Sequence, residues 1–260
     1  MFLEPATKGS FTPKKIVSAL KISKKQNSMI NNRIQQIENY VKDAMNTVVD
    51  YDLKIAHDFK HVDRVRGWAL QIAEGEGYQN LELVEATALL HDIGLAHVEQ
   101  RNQHAQKGAG IAADYLREQG MFTEEEIVLI AEAISYHSSL SGGGQLGDIL
   151  CDADKLELFG AIGLMRAFTS NYMNPEYDPG DIKGETWEMA AEEFTERFRS
   201  GIGVGNYIMD QLNFQLSCYD NLSTETARQL ARPLVEFMRA YIIQLDSEIR
   251  ATDRGNGTKP

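Results

Sequence analysis

Apolar residues recur every three or four positions along most of this chain, which is the spacing of one face of an α-helix. The first such run contains Ile34, Ile37, Val41, Ala44 and Val48. No run of alternating β-branched residues stands out, so the pattern predicts an all-α fold. The predicted helices cover residues 31–48, 62–75, 81–90, 104–119, 123–137, 146–168, 186–199, 205–218 and 224–250.

Local signals refine three of these boundaries. Gly94 closely follows the third helix and is expected to act as its C-terminal breaker. Thr123 and Glu126 fit a capping box, which predicts a helix start. Within 146–168 we expect an interruption near Asp152, because a charged residue lies there in an otherwise apolar run.

The two ends of the chain differ from its centre. Residues 1–29 mix Pro, Gly, Ser, Thr and Lys with little periodicity, which predicts a flexible N-terminal arm. Residues 251–260 are expected to be a frayed tail, and 30–250 are expected to form a single helical domain.

Composition narrows the class of partner. The net charge is −12, which argues against binding to a nucleic acid polymer or an anionic membrane surface. Two cysteines are too few for a disulfide framework, and no apolar run approaches the roughly 20 residues of a membrane-spanning helix. The N-terminus lacks the apolar stretch of a secretory signal, so we expect a cytoplasmic protein.

The histidines are clustered along the chain. All six lie between positions 57 and 137, and Asp92 and Asp154 stand in apolar surroundings. Imidazole and carboxylate groups are ligands for divalent metals, and a buried carboxylate needs a cation or several hydrogen-bond donors. The alternative is that the two aspartates cap helices and pair with Arg64, Lys155 or Arg166.

Five motifs in order resemble the HD-domain superfamily of metal-dependent phosphohydrolases, in particular a small stand-alone branch. They are HDFKHVDRV, ALLHDIG, HAQKGAGIAADYL, ISYHS and DADKLELFGAIGLMRAF, which together lie within 57–168. The resemblance is close over about 50–170 and looser near 222–238, so it implies one HD-type helical bundle whose C-terminal helices pack on the same core.

The resemblance also implies a ligand set for a divalent metal such as Mn, Mg, Co, Fe or Ni. His61, His91, Asp92 and Asp154 would bind one ion. His104 and His137 occupy the order of a second-metal pair, with Asp92 bridging, or they would contact phosphate instead. The family's first ligand matches His61 rather than His57 of the His57-Asp58 pair, and His97 is expected to be a bystander.

The implied activity is hydrolysis of a small phosphoester, most plausibly a nucleotide, by a metal-activated water. Asp92 and Lys155 are the candidate catalytic residues. Arg64, Lys107 and Arg166 are candidates for binding the phosphate, although each could instead be a solvated surface cation. The oligomeric state, monomer or homodimer, stays open.

Two other functions fit the same residues. Di-iron oxygenases of the HD fold use the same ligand order, and iron and manganese accept the same ligands. A non-catalytic regulatory module could keep the metal as a structural element, although structural sites usually have a closed shell of four ligands. Iron content and oxygen consumption would distinguish the oxygenase from a hydrolase.

Overall fold

A computed structural model of the chain describes residues 32–48, 50, 55–138 and 143–253. Within these ranges the chain forms helices and turns and no β-strand, so the predicted all-α fold is confirmed. The predicted arm (1–29) and the tail beyond 253 lie outside the described residues. The α-helices are α1 (32–46), α2 (Phe59–Gly75), α3 (Leu81–Leu90), α4 (His104–Gln119), α5 (Glu124–Tyr136), α6 (Gly144–Leu156), α7 (Gly160–Ser170), α8 (Ala191–Arg199), α9 (Ile208–Ser217) and α10 (Glu225–Asp253).

Helix α3 lies at the centre of the bundle. It packs against α2, α5 and α6, while α4 packs on α5, and α7 contacts both α9 and α10. Leu89 and Leu90 at the end of α3 are fully buried, and each contributes about 1.5–3 kcal/mol through removal of apolar surface from water. Because α3 is buried around its whole circumference, the residues that follow it, His91 and Asp92, also lie inside the protein.

Two helix starts depend on side-chain caps. Thr123 and Glu126 form the predicted capping box, in which Thr123 Oγ1 accepts from the Glu126 amide at 3.3 Å and Glu126 Oε2 accepts from the Thr123 amide at 3.0 Å. Asp58 caps α2 by accepting a hydrogen bond from the His61 amide. The cap at Asp58 fixes where α2 begins and therefore where His61 lies.

The interruption predicted near Asp152 is wrong. Asp152 lies inside α6, and the break falls at 157–159, before Gly160, whose φ of +68° starts α7. Asp152 is tolerated within the helix because its buried carboxylate accepts hydrogen bonds from the amides of Ser223 and Thr224 and from the Thr224 hydroxyl. These bonds join α6 to the start of α10.

The starts predicted at 186 and 205 are also wrong, since α8 begins at Ala191 and α9 at Ile208. Asp210 explains part of the shift. Its carboxylate accepts from the Thr186 hydroxyl at 2.8 Å and from the Tyr207 amide at 3.2 Å, which holds both segments as turns. Within the described residues, every helix is too short or too polar to cross a lipid bilayer.

Gly94 does not end α3. The helix ends at Leu90, and Gly94 belongs to a short 3₁₀ helix, Ile93–His97, that packs against α4. A Cβ at Gly94 would lie 2.1 Å from the His104 carbonyl oxygen, so a glycine is needed there for the close approach of two backbone segments. This contact sets the position of His104.

Candidate metal centre

Five histidine side chains surround the carboxylate of Asp92, which is 1% exposed. They come from four parts of the chain. His57 lies just before α2 and His61 in its first turn, while His91 follows α3, His104 begins α4 and His137 follows α5. Asp92 makes no helix-capping hydrogen bond, which removes the capping alternative for this residue. From Asp92 Oδ2, the distances are 2.9 Å to His57 Nδ1, 3.4 Å to His91 Nε2 and 3.6 Å to His61 Nε2.

The second oxygen of Asp92 faces a different pair. Oδ1 lies 3.3 Å from His104 Nε2 and 3.5 Å from His137 Nε2, and these two nitrogens are 2.9 Å apart. Asp154 lies on the other side, with its Oδ1 3.2 Å from His61 Nε2. One carboxylate thus separates two sets of ligand-type atoms.

Backbone carbonyls fix the tautomer of three of these imidazoles. Nδ1 of His91 donates to the Ala88 carbonyl at 2.7 Å, and His104 and His137 donate in the same way to the carbonyls of Arg101 and Ile134. Because a carbonyl only accepts, Nδ1 carries a proton in each ring, and in the neutral form of the ring the Nε2 lone pair faces Asp92. Hydrogen bonds of this kind orient metal-binding histidines in general.

Two buried nitrogens of this cluster have no hydrogen-bond partner among the described residues: Nε2 of His61 and Nε2 of His91. Both point toward the carboxylate of Asp92, and an unpaired buried polar atom is costly unless something binds it. A divalent cation would satisfy both nitrogens and the carboxylate together, so the donor set fits a metal ion. The side chain of Asp154 is 27% exposed, which leaves this side of the cluster open to solvent.

The electrostatics of the cluster favour bound positive charge. Burial lowers the pKa of His91, but the charges of Asp92 and Asp154 outweigh burial and raise that pKa to about 9. Burial raises the pKa of Asp92, but the positive charge of His91 outweighs burial and holds that pKa well below its usual range. Both carboxylates are therefore ionised at neutral pH in a site that excludes most water.

Sequence reasoning missed His57. Arg101 contacts its Nε2 and can only donate, so Nδ1 carries the ring proton and donates to Asp92 Oδ2. Burial lowers the pKa of His57 to about 4, which keeps the ring neutral. His57 therefore orients the carboxylate of Asp92. The four-residue spacing from His61 is the signal that could have indicated it.

Glu157 was also missed. Its carboxylate is fully buried and contacts Arg64 Nη2 at 2.7 Å, Trp68 Nε1 at 3.2 Å and His61 Nδ1 at 3.5 Å. Burial raises its pKa, but hydrogen bonds from His61 and Arg64 lower it overall. Arg166 Nη1, which can only donate, lies 2.6 Å from His61 Nδ1, so Nδ1 accepts in that contact. A cation on His61 Nε2 would require a proton on Nδ1, and Glu157 is the carboxylate that would then accept a hydrogen bond from it in place of the Arg166 contact. Glu157 follows Asp154 by three residues, and residues at this spacing lie on the same face of a helix. That spacing could have indicated that Glu157 lies near the site.

We expect Glu157→Gln to weaken metal affinity by about 10- to 100-fold, because loss of a hydrogen-bond partner of a ligand has this effect in metal sites. Isothermal titration calorimetry with Mn²⁺ measures it. Glu38→Gln is the matched control. Glu38 in α1 pairs with Arg66 of α2, the helix that carries Arg64, but it lies away from the histidines. Equal affinities in wild type and Glu157→Gln would contradict the positioning role.

The predicted cations are distributed unevenly around the cluster. Arg166 lies beside the histidine cluster. Its Nη1 is 2.6 Å from His61 Nδ1 and 3.7 Å from Glu157 Oε2. Arg64 is paired with Glu157, and Lys107 is exposed on α4. Of these predicted phosphate ligands, the geometry therefore favours Arg166.

Lys155 has contacts of another kind. Its Nζ donates to the Asn221 carbonyl at 3.0 Å and lies 4.0 Å from Asp152, so it helps to join α6 to the C-terminal helices. These contacts give no support to the predicted catalytic role. His97 is exposed, consistent with a bystander.

The two cysteines are not ligands. Cys151 and Cys218 are both free, and burial raises the pKa of each thiol to about 12. Among the described residues, neither thiol belongs to a group of ligand-type atoms close enough to hold one metal ion. The site is therefore one of imidazole and carboxylate.

The part of the chain that carries this site is similar to known proteins. Residues 58–158 match the family model of the HD domain. The chain is 25% identical to YpgQ of Bacillus subtilis, over 84% of this chain and 95% of that protein. The crystal structure of YpgQ in complex with ADP matches 85% of this chain and 96% of its own with a TM-score of 0.57.

Two further solved structures share the fold. An HD-superfamily hydrolase from Bacillus thuringiensis is 24% identical, covers 85% of this chain and 99% of its own, and gives a TM-score of 0.60. A predicted HD-superfamily hydrolase from an uncultured Thermotogales bacterium is 26% identical to this chain. It covers 82% of this chain and 91% of its own, with a TM-score of 0.55. The His-Asp pair after α3 thus lies in the segment, residues 58–158, that matches the HD domain.

Proposed function

We propose that this protein is a metal-dependent hydrolase of small phosphoesters, with nucleotides as the favoured class. The observation that carries the proposal is the placement of the Asp92 carboxylate between His61 and His91 on one oxygen and His104 and His137 on the other. A purely structural site would have a closed shell of ligands, whereas here the exposed side chain of Asp154 leaves an open side.

In this proposal His61, His91, Asp92 and Asp154 would hold one divalent ion, and Asp92, His104 and His137 would hold a second. A bound divalent ion supplies a Lewis acid that polarises phosphoryl oxygens and brings the pKa of water toward neutrality. His57 donates a hydrogen bond to Asp92 and keeps its carboxylate oriented. Glu157, 3.5 Å from His61 Nδ1, would accept a hydrogen bond from that nitrogen when an ion is held on Nε2.

Positive charge for the substrate comes from Arg166 and Arg101. Arg166 contacts His61, and Arg101 contacts His57, so both guanidinium groups lie at the edge of the histidine cluster. Guanidinium groups bind phosphate oxygens through paired N–H donors and stabilise charge that develops there. They offset the overall charge of −12 locally, where a phosphate must bind.

Similarity to YpgQ supports the choice of nucleotides. That relative was crystallised in complex with ADP, and it covers most of this chain. Arg166 lines two cavities of about 180 and 220 Å³, which give a substrate room beside the metal centre. A cytoplasmic location and a monomeric or homodimeric state stay as predictions.

Chelation is the direct test. Protein treated with EDTA is expected to lose all phosphoesterase activity, and Mn²⁺, Mg²⁺, Co²⁺, Fe²⁺ or Ni²⁺ should be added back singly against phosphomonoesters, nucleotides and cyclic nucleotides. Restored hydrolysis with at least one metal is the expected result, because the ligand set accepts all of these ions. No hydrolysis with any of them, together with bound iron and oxygen consumption, would instead identify an oxygenase.

A further inference from the structure

A polar cavity of about 180 Å³ lies between α7 and α9, next to the metal centre. Two arginines and four uncharged polar residues contribute to its wall: Arg101, Arg166, Ser170, Asn171, Gln211 and Gln215. The volume is smaller than the roughly 300–1,000 Å³ of a complete small-molecule site. The cavity is therefore suited to one part of a ligand whose remainder lies elsewhere.

The cavity touches the metal centre at two points. Arg101 contacts His57, which donates to Asp92, and Arg166 contacts His61, which lies 3.2 Å from Asp154. A ligand held by both arginines would thus have its anionic group beside the histidine cluster and the rest of its structure in the cavity.

Gln215 supplies an unused acceptor in this wall. The residue is 2% exposed, and its Nε2 donates to the Gly163 carbonyl of α7 at 3.3 Å, which fixes the orientation of the amide. Its Oε1 is buried and accepts no hydrogen bond from any residue that the structure describes. A buried carbonyl oxygen without a donor costs free energy, so a ligand with an O–H or N–H group would relieve this cost.

Gly163, whose carbonyl accepts the hydrogen bond from Gln215, lies in a tightly packed turn. Gly163 packs so closely on the preceding turn that a Cβ there would lie 2.1 Å from the Leu158 carbonyl oxygen. Gln211 is one turn earlier on the same face of α9 and also lines the cavity. Asn213 lies on the opposite face of α9, where it lines a separate cavity of about 440 Å³.

We propose that this cavity is a substrate subsite in which Arg101 and Arg166 bind anionic oxygens and Gln215 Oε1 accepts a hydrogen bond from the leaving group. The substrate class is then a phosphate ester whose alcohol part carries hydroxyl or amino groups, as a nucleoside or sugar does, and not a simple aryl phosphate. This assignment rests on the proposed function, since it takes the ester to be the substrate.

The test is Gln215→Met, which keeps the length of the side chain and removes its acceptor. We expect kcat/KM for adenosine 5′-monophosphate to fall about 3- to 10-fold, which corresponds to one uncharged hydrogen bond. Activity on p-nitrophenyl phosphate, which has no O–H or N–H outside its phosphate, is expected to stay unchanged. Gln229→Met, the same exchange at an exposed position of α10, is the matched control.

Substrate analogues separate recognition from a general structural effect. The 2′-deoxy, 3′-deoxy and 6-unsubstituted purine monophosphates each lack one donor. One of them is expected to react more slowly than adenosine monophosphate with the wild type and equally fast with Gln215→Met, since a double-mutant cycle isolates the shared contact. Equal losses on every substrate, p-nitrophenyl phosphate included, would overturn the subsite.

Binding of the same phosphate compounds distinguishes a failure of the subsite from a failure of the hydrolase proposal. Their dissociation constants, measured by calorimetry on Mn²⁺-loaded protein, require no turnover. If the wild type binds these ligands without hydrolysing them, a selective loss of affinity in Gln215→Met still supports the subsite, while the hydrolase proposal fails. If the variant discriminates between donor-bearing and donor-free phosphates as the wild type does, in rate or in affinity, the subsite is wrong.

Discussion

Asp92→Asn is expected to remove most of the bound metal and to lower kcat by at least about 10³-fold. Asp92 is the carboxylate that all five clustered histidines share, with distances of 2.9–3.6 Å to their ring nitrogens. Losing a hydrogen-bond partner of a ligand already costs about 10- to 100-fold in affinity, and losing a shared ligand costs more. Metal content by inductively coupled plasma mass spectrometry and a phosphoesterase assay measure the two effects.

Asp58→Asn is the matched control, because the chain carries a second His-Asp pair, His57-Asp58. Asp58 caps α2, and asparagine caps a helix equally well, so this variant is expected to keep its metal and activity. His104→Ala is the graded comparison: it should keep the ion on His61 and His91 and lose the second. Full metal content and activity in Asp92→Asn would show that the site is misassigned.

The repeat of apolar residues was sufficient to predict the helices, because burial of one face is what determines them. Boundaries were predicted less well where a distant residue decides them. Asp152 looks like a helix breaker in the sequence, yet its hydrogen bonds to Ser223 and Thr224 keep it inside α6. Thr186 and Tyr207 are held outside helices by Asp210 in the same way. Such partners are visible only in three dimensions.

In the candidate site, too, the sequence predicted some residues and missed others. The order of motifs was enough to select His61, His91, Asp92 and Asp154, and the fold brings these residues together. It also brings His104 and His137 onto the second oxygen of Asp92. Motif order does not describe the residues that hold the ligands in place, and so the roles of His57 and Glu157 were missed.

Cations were the hardest to assign from sequence, because a long side chain can reach several partners. Arg64 and Arg166 both reach Glu157, but only Arg166 also contacts His61. Arg101 was not selected, since its contact with His57 depends on how the segment between α3 and α4 folds back. The packing of that segment on α4 depends in turn on Gly94.

Gly94→Ala is expected to destabilise the protein by about 3 kcal/mol and to displace His104. A Cβ at this position would lie 2.1 Å from the His104 carbonyl oxygen and 2.7 Å from the Gly108 nitrogen, so backbone must move rather than a flexible side chain. Because His104 Nε2 lies 3.3 Å from Asp92, a shift of α4 should reduce binding of a second metal ion more than the first.

Urea denaturation measures the stability of this variant, and metal content per chain measures the effect on the site. Gly110→Ala is the matched control on α4, the helix that Gly94 contacts, since no described residue outside the local helix backbone lies within 4 Å of a Cβ there. Alanine favours a helix over glycine, so this control should gain about 0.4–1 kcal/mol. Wild-type stability and metal content in Gly94→Ala would mean that the close contact between the Ile93–His97 segment and α4 does not position His104.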